Sequence, residues 1–373
     1  MKYDFVIVGA GYSGCVLAER IATQLNKKCL IIEKRNHIGG NCYDYYDDNG
    51  VLVHKYGPHI FHTQMKKVWE YLSNYTDWIP YEHKVKAIID GKEVIVPFNF
   101  NSIHTVYEKE KAQRLEDLLI ENYGSGVKIP ILKLRETSNK DLKELADFIY
   151  EKVFLGYNLK QWGMKPEELD PSVSGRVPVF LSRDDRYFQD TYQAIPKHGY
   201  TKMFQKMINQ KNISVMLQTD YKDLINNIDY DNLIYTGHID YYFDFKLGRL
   251  PYRTLNFDMQ TLDTEFFQSG AQINYPNEHD YTRITEFKHL TKQEHTKTTI
   301  AYEYPEEYEF GKNDPYYPIP KKENLELFEK YKELAEKEKN VYFVGRLADY
   351  KYYNMDQTVG VALQLFEKKI ANS

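Results

Sequence analysis

Phe5-Val6-Ile7-Val8 and Leu30-Ile31-Ile32 are short, uninterrupted apolar runs, and between them Gly14, Leu17, Ala18, Ile21, Ala22 and Leu25 recur at helical spacing. Unbroken runs suit strands buried on both faces, so the pattern predicts strand, helix and parallel strand. The helical period returns between 102 and 150 with Leu115, Leu118, Leu119, Leu142, Leu145, Ala146 and Ile149, which predicts a small helical subdomain. Residues 80–100 and 172–320 carry short β-branched and aromatic runs broken by Pro and Gly, the pattern of an antiparallel sheet. Within the longer stretch, Lys202–Ile208, Ile213–Leu217 and Leu233–Gly237 read as helix, strand and strand returning to the first unit. The tail repeats the return. Val341-Tyr342-Phe343-Val344 predicts a buried strand, and Val359, Ala362, Leu363, Phe366 and Ile370 predict a final helix beginning after Met355-Asp356-Gln357-Thr358.

At the first strand-to-helix junction stands Gly9-Ala10-Gly11-Tyr12-Ser13-Gly14. Gly9 permits the tight turn, Gly11 lets a pyrophosphate approach the backbone, Gly14 lets the helix pack on the strand, and the helix N-terminus attracts phosphate. Glu33 ends the second strand, where an acid suits a ribose hydroxyl pair. A dinucleotide site is expected, with a ligand-free βαβ unit as the alternative. Lys34, Arg35 and then Gly39-Gly40-Asn41 follow: the double glycine lets backbone reach the ligand a second time, and Lys34 or Arg35 can neutralise its phosphates. This arrangement resembles that of FAD proteins of the glutathione reductase and amine oxidase type; a surface turn with solvated charges is the bland alternative.

A length of 373 residues allows two or three domains. The net charge of -5, with Lys and Arg spread along the chain, provides no footprint for nucleic acid. No apolar run approaches the roughly eighteen residues of a membrane span, and the N-terminus enters a strand at once, so neither a span nor a signal peptide is expected and the cytoplasm is the expected compartment. Cys15, Cys29 and Cys42 are scattered, without CxxC or His pairing, which fits reduced buried thiols and no metal. The 34 tyrosines serve packing in the main, so their abundance does not itself point to a function.

Several constellations carry chemistry. Arg346 precedes the final helix, whose positive end suits the pyrimidine ring or pyrophosphate of a flavin; a salt-bridge arginine and a simple Asp356 or Thr358 cap is the competing view. Tyr56-Gly57-Pro58-His59-Ile60-Phe61-His62-Thr63 is a rigid turn with two histidines that suit a place beside a cofactor or in a core. Trp162 lies between Gly156 and Gly163 and suits a base or sugar wall, although a core Trp fits the residue taken alone. Arg176, Arg253 and Arg283 each sit in a short extended segment, and together they could clamp a diphosphate, while singly each suits a surface charge.

The ordered set GAGYSG, EKRNHIGGN, KYGPHIFHT, GYNLKQWG, GRVPV, RYFQDTYQAIP, YRTL, YTRITEFKH, PYYPI and GRLADYKYYNMD resembles the bacterial UDP-galactopyranose mutase family over nearly the whole length. The resemblance implies an isomerase of cell-wall or polysaccharide biosynthesis that interconverts UDP-galactopyranose and UDP-galactofuranose. In that family N5 of reduced FAD acts as nucleophile on the anomeric carbon and UDP leaves, a step that fixed arginines would assist. It implies an α/β fold: a discontinuous Rossmann-like FAD-binding domain (1–79, 200–240, 330–373), a helical subdomain (102–150), and an antiparallel-sheet substrate domain (80–101, 151–199, 241–329) with a mobile loop near 162–185. A homodimer is expected.

Carried over by position, Arg176 and Arg283 are the catalytic diphosphate arginines, and His83, Asn158, Trp162, Tyr187, Arg253, Asn274, Tyr317 and Tyr352 the other substrate contacts. Gly9, Gly11, Ser13, Gly14, Glu33, Lys34, Gly40, Asn41, His59, Ile60, Arg346 and Met355, with Tyr221, fall on the cofactor. Three residues depart from the family's pattern: Asn158 stands where Thr is common, His83 where Asn is common, and Asn354 where Asp is common. They keep open the same chemistry on UDP-N-acetylgalactosamine or dTDP-fucose, and an FAD oxidoreductase of the amine oxidase type is the alternative from another class.

Overall fold

A computed structural model describes residues 2–170, 175 and 177–371. The principal elements begin with β1 (Lys2–Val8), α1 (Tyr12–Gln24) and β2 (Cys29–Ile32). Short strands β3 (Phe61–Thr63) and β4 (Trp78–Pro80) precede a hairpin of β5 (Val85–Ile89) and β6 (Lys92–Val96). Four helices follow: α2 (Phe100–Val106), α3 (Lys109–Tyr123), α4 (Lys140–Ile149) and α5 (Gly156–Trp162). Then come β7 (Tyr192–Pro196), α6 (Tyr200–Ile208), β8 (Ile213–Met216) and β9 (Asp229–Tyr235). The long strands β10 (Tyr252–Leu262) and β13 (Thr298–Glu307) flank β11 (Gln272–Asn274) and β12 (Arg283–Glu286) in sequence. Last are β14 (Tyr317–Pro318), α7 (Lys322–Ala335), β15 (Val341–Phe343) and α8 (Met355–Leu365).

Five strands from distant parts of the chain form one parallel sheet in the order β8-β2-β1-β9-β15. Its apolar runs are unbroken because both faces are covered. Phe5, Ile7, Ile31 and Ile234 face a core shared with Leu17 and Ile21 of α1 and Val359 and Ala362 of α8. Val6, Leu30, Ile32 and Leu233 face the opposite core with Tyr221 and Tyr235.

Three boundaries differ from the sequence pattern. β9 starts at Asp229 rather than Leu233, since its polar end still pairs with Lys2–Phe5 and Lys2 reaches Asp231. β15 is half-buried rather than buried, because it is an edge strand with one neighbour. α8 starts at Met355, with Asn354 as its N-cap, rather than after Thr358; Asp356 instead turns inward and accepts from Thr63 Oγ1 at 2.8 Å.

The second large sheet runs β14-β10-β13-β12-β11-β5-β6. It is antiparallel except at β5 and β11, which pair parallel and weld the early hairpin to the late strands. Leu115, Leu119, Leu142, Leu145, Ala146 and Ile149 bury against Val85, Val94 and Val96 of the hairpin. The helical run continues past residue 150 through Tyr150–Leu155 into α5, so Trp162 ends a helix that Gly163 closes in the left-handed conformation (φ +67°).

Candidate active site

The turn after β1 is shaped by contacts that only glycine allows. A Cβ on Gly14 would lie 1.9 Å from the Gly9 carbonyl oxygen, so α1 rests directly on the turn, and Gly9 itself has φ +103°. A Cβ on Gly40 would lie 3.1 Å from Gly11 Cα, which brings the two glycine segments together. The Glu33 carboxylate accepts the Ala10 N–H at 2.8 Å and the Arg35 N–H at 2.9 Å and so fixes both turns, a positional role beyond the ribose contact expected of it. Arg35 donates to Asn41 Oδ1 at 3.0 Å, pairs with Asp314 at 3.1 Å and lies over the Tyr56 ring.

Around these turns is a cavity of about 660 Å³ lined by Gly9, Gly11, Ser13, Glu33, Lys34, Gly40, Asn41, His59, Tyr221, Arg346 and Met355. Gly14 lies behind the lining, packed on β1, and Ile60 lines the neighbouring cavity instead. Ser13 Oγ is buried with no hydrogen-bond partner among the described residues, at the first turn of the 13-residue helix α1. A partnerless hydroxyl at a helix N-terminus beside a glycine cradle fits the phosphates of a dinucleotide.

A second cavity of about 890 Å³ is lined by His83, Asn158, Trp162, Tyr187, Asn274, Arg283, Tyr317 and Tyr352. Asn41, His59, Arg346 and Met355 line both cavities, so the two meet along one seam. Asn158 Nδ2 donates to Phe154 O at 3.0 Å, and Asn274 Oδ1 accepts from Gln272 at 3.0 Å. Trp162 and Tyr317 lie 5.9 Å apart and Tyr317 packs edge-on to Tyr352 at 4.9 Å, an aromatic wall at the side toward Arg346.

Arg283 and Glu303 stand directly opposite each other on β12 and β13. The guanidinium gives Nε (2.8 Å) and Nη2 (2.6 Å) to one carboxylate oxygen, which leaves Nη1 for a ligand. Glu303 is 1% exposed, and the pair is therefore a charge held in place before any substrate arrives. Sequence reading missed Glu303, because only the strand register reveals it. It also missed the cavity-lining Tyr157 and Gln272, which no spacing signal marks.

Arg253 does not reach the cavity. Its Nε donates to Gln161 O at 2.9 Å and Nη2 to Lys160 O at 3.2 Å, so it braces the C-terminal end of α5. Arg176 lies outside the described residues. Arg346 is anchored by Tyr316 O and Tyr353 O at 3.2 and 2.6 Å, with its guanidinium over Tyr352.

His59 at the seam, His83 in the second cavity and His54 beside His59 are neutral. Burial, reinforced by His54, pushes His59 down to about 3, and burial with Arg283 nearby pushes His83 down to about 3. Burial takes His54 down to about 4. His59 Nδ1 lies 2.8 Å from Gly57 O, which can only accept, so the proton sits on Nδ1 and Nε2 is an acceptor. These folded values lie below the unfolded value of about 6.5, so the unfolded chain takes up protons first and stability falls as pH drops from about 6.5 toward 4. The denaturant midpoint is expected to be lower at about pH 5 than at about pH 7.5, and the drop is expected to shrink in His83→Asn.

Asn354 donates its backbone N–H to Gln357 Oε1 at 2.9 Å as the α8 cap, and it also lines the second cavity. That bond uses the backbone N–H and survives a change of side chain, and Asn and Asp are equally good at the cap, so Asn354→Asp is expected to keep thermal stability within about 0.5 kcal/mol.

A Rossmann-like sheet with a glycine cradle, opening onto a second cavity under another sheet, defines a dinucleotide-binding enzyme of the flavoprotein type. A model of the NAD(P)-binding Rossmann-like domain matches residues 7–75, and the UDP-galactopyranose mutase model matches residues 152–352. A probable UDP-galactopyranose mutase of Klebsiella pneumoniae is 38% identical, covering 99% of this chain and 95% of its own. A dTDP-fucopyranose mutase of Escherichia coli is 35% identical, covering 99% and 98%. A crystal structure of reduced UDP-galactopyranose mutase has the same fold, with a TM-score of 0.77 at 16% identity over 100% of this chain and 95% of that one. The chain belongs to the UDP-galactopyranose mutase family, and it is a mutase, an isomerase by class.

Proposed function

We propose that this mutase interconverts UDP-galactopyranose and UDP-galactofuranose with reduced FAD as its cofactor. The observation that carries the reading is the seam: a cavity holding a pre-paired arginine opens, along Asn41, His59, Arg346 and Met355, onto a dinucleotide cradle. Ser13, Glu33, Asn41, Arg346 and Met355 would hold the cofactor, with Tyr221 lining the same cavity. When bound and reduced, the flavin supplies the nucleophile for the anomeric carbon.

The chain's own residues bind, orient and shield. Arg283 presents Nη1 to the diphosphate and stabilises the charge that grows as UDP departs, with Arg176 proposed as its companion. Glu303 keeps the guanidinium fixed, so little reorganisation is needed when that charge develops. Trp162, Tyr317 and Tyr352 form an apolar wall that would shield a bound sugar from water. Neutral His59 and His83 offer hydrogen bonds without adding charge.

A second reading is favoured by the full-length similarity to a dTDP-fucopyranose mutase and by His83 and Asn158 in the cavity wall: the same chemistry on dTDP-fucose. An amine oxidase shares the fold, as a putrescine oxidase with a TM-score of 0.59 at 13% identity illustrates, yet the buried Arg283–Glu303 pair suits an anionic diphosphate better than an amine. Incubating the reduced protein separately with UDP-galactose, UDP-N-acetylgalactosamine and dTDP-fucose, followed by chromatography, tests the choice. The furanose of UDP-galactose is expected to form fastest; faster conversion of dTDP-fucose would establish the second reading, and no conversion of any would refute both.

A further inference from the structure

Ring contraction has a proton requirement that a diphosphate clamp and an aromatic wall do not meet. Going from pyranose to furanose, the C1–O5 bond breaks and a C1–O4 bond forms. The C1–O5 electron pair stays on O5, which gains a proton, while O4 loses its proton as a lone pair closes onto C1. One proton therefore moves from O4 to O5, with no net oxidation and none consumed.

The second cavity contains an imidazole arranged for such a transfer. His62, on β3, lines it, and His62 Nδ1 lies 2.8 Å from Asp190 Oδ2. The carboxylate accepts, so Nδ1 keeps its proton and Nε2 is the nitrogen that can exchange one. Nε2 has no hydrogen-bond partner among the described residues. The ring is held flat against Phe188, with centroids 3.6 Å apart and planes 12° apart. Gln193, paired in register with His62 on β7, donates to Asp190 O at 2.9 Å and Phe188 O at 3.2 Å, which fixes the turn carrying the carboxylate. The cavity's other two imidazoles, His59 and His83, are buried without a carboxylate partner and held neutral. Burial pushes the Tyr157 and Tyr317 hydroxyls up, which favours their protonated forms.

We propose that His62, oriented by Asp190, carries the sugar's proton: Nε2 gives it to O5 as the six-membered ring opens and takes one back from O4 as the five-membered ring closes. The inference rests on the sugar-mutase reading above. Asp190 is a positioning residue that fixes the tautomer and steadies the imidazolium; His62 is the group that meets the sugar.

Positional isotope exchange separates this role from binding and from departure of UDP. In UDP-galactopyranose labelled at the oxygen bridging C1 and the β-phosphorus, scrambling into the non-bridging positions needs only C1–O cleavage and return, whereas furanose formation also needs the proton transfer. In the reduced holoenzyme, His62→Asn is expected to slow furanose formation by about 10²-fold or more through kcat rather than KM, while scrambling persists. Asp190→Asn, at a site 24% exposed, is expected to slow it less and serves if His62→Asn does not fold. UDP affinity of the oxidised holoenzyme is expected to stay unchanged in both. Furanose formation at the unsubstituted rate, or scrambling and furanose formation falling in parallel, would overturn the proposal. Absence of scrambling in the unsubstituted protein would instead refute the mutase reading on which it rests.

Discussion

Arg283→Ala is expected to lower turnover by about 10²- to 10³-fold while the protein stays yellow. The residue lines the second cavity but not the one around the glycine cradle, so flavin content should not change. Two losses combine in the variant. The cavity loses Nη1, the donor proposed for the diphosphate, and Glu303 is left in a site 1% exposed without its counter-charge. Stranding one member of a buried pair costs about 3–5 kcal/mol, so the melting temperature should fall as well. Assaying well below that temperature, with flavin absorbance recorded on the same sample, separates the effects. Arg283→Lys restores a charge without the planar fork, and it is expected to recover stability more than turnover. Full turnover in Arg283→Ala would remove the diphosphate from this part of the cavity.

Gly14→Ala should have the larger structural effect for a single added methyl group. The new Cβ would stand 1.9 Å from the Gly9 carbonyl oxygen and 3.3 Å from Ile7 Cγ2, and neither the turn nor β1 can yield without moving the other. Ile7 is fully buried in the core shared by α1 and α8, so the helix must lift off the sheet. Overpacking of this kind costs about 1–3 kcal/mol or more, and it also opens the phosphate turn. The expected result is a colourless or weakly yellow protein with a lowered denaturant midpoint. A fully loaded Gly14→Ala variant of unchanged stability would show that the close helix-to-strand contact is not what shapes the turn.

These two residues mark how far the sequence could be read. Gly14 was legible because its role is local: a strand, a turn and a helix lie within a few residues, and their apolar periods are visible directly. The parallel strands β1 and β2 and the buried face of α1 were legible for the same reason. Arg283 was legible as a cation in a short strand and through the family's motif, but its partner Glu303 was not, because strand pairing depends on a register that no local signal encodes. Arg253 shows the same limit in the other direction: grouped with the clamp on sequence, it turns instead to the carbonyls of α5, since side-chain direction depends on which helix packs overhead. Asn354, marked in the sequence only as standing where the family has Asp, caps α8, because the helix starts four residues earlier than the apolar period alone suggests. The seam between the two cavities joins residues from both ends of the chain and could be seen only once the parallel sheet had closed.

Turnover of UDP-galactopyranose by the flavin-loaded protein before and after dithionite reduction tests the proposed chemistry most directly. UDP-galactofuranose is expected only from the reduced protein, with no net oxidation of the sugar. Equal turnover by the oxidised protein, or bleaching of the oxidised flavin by the sugar with a stoichiometric oxidised product, would contradict it.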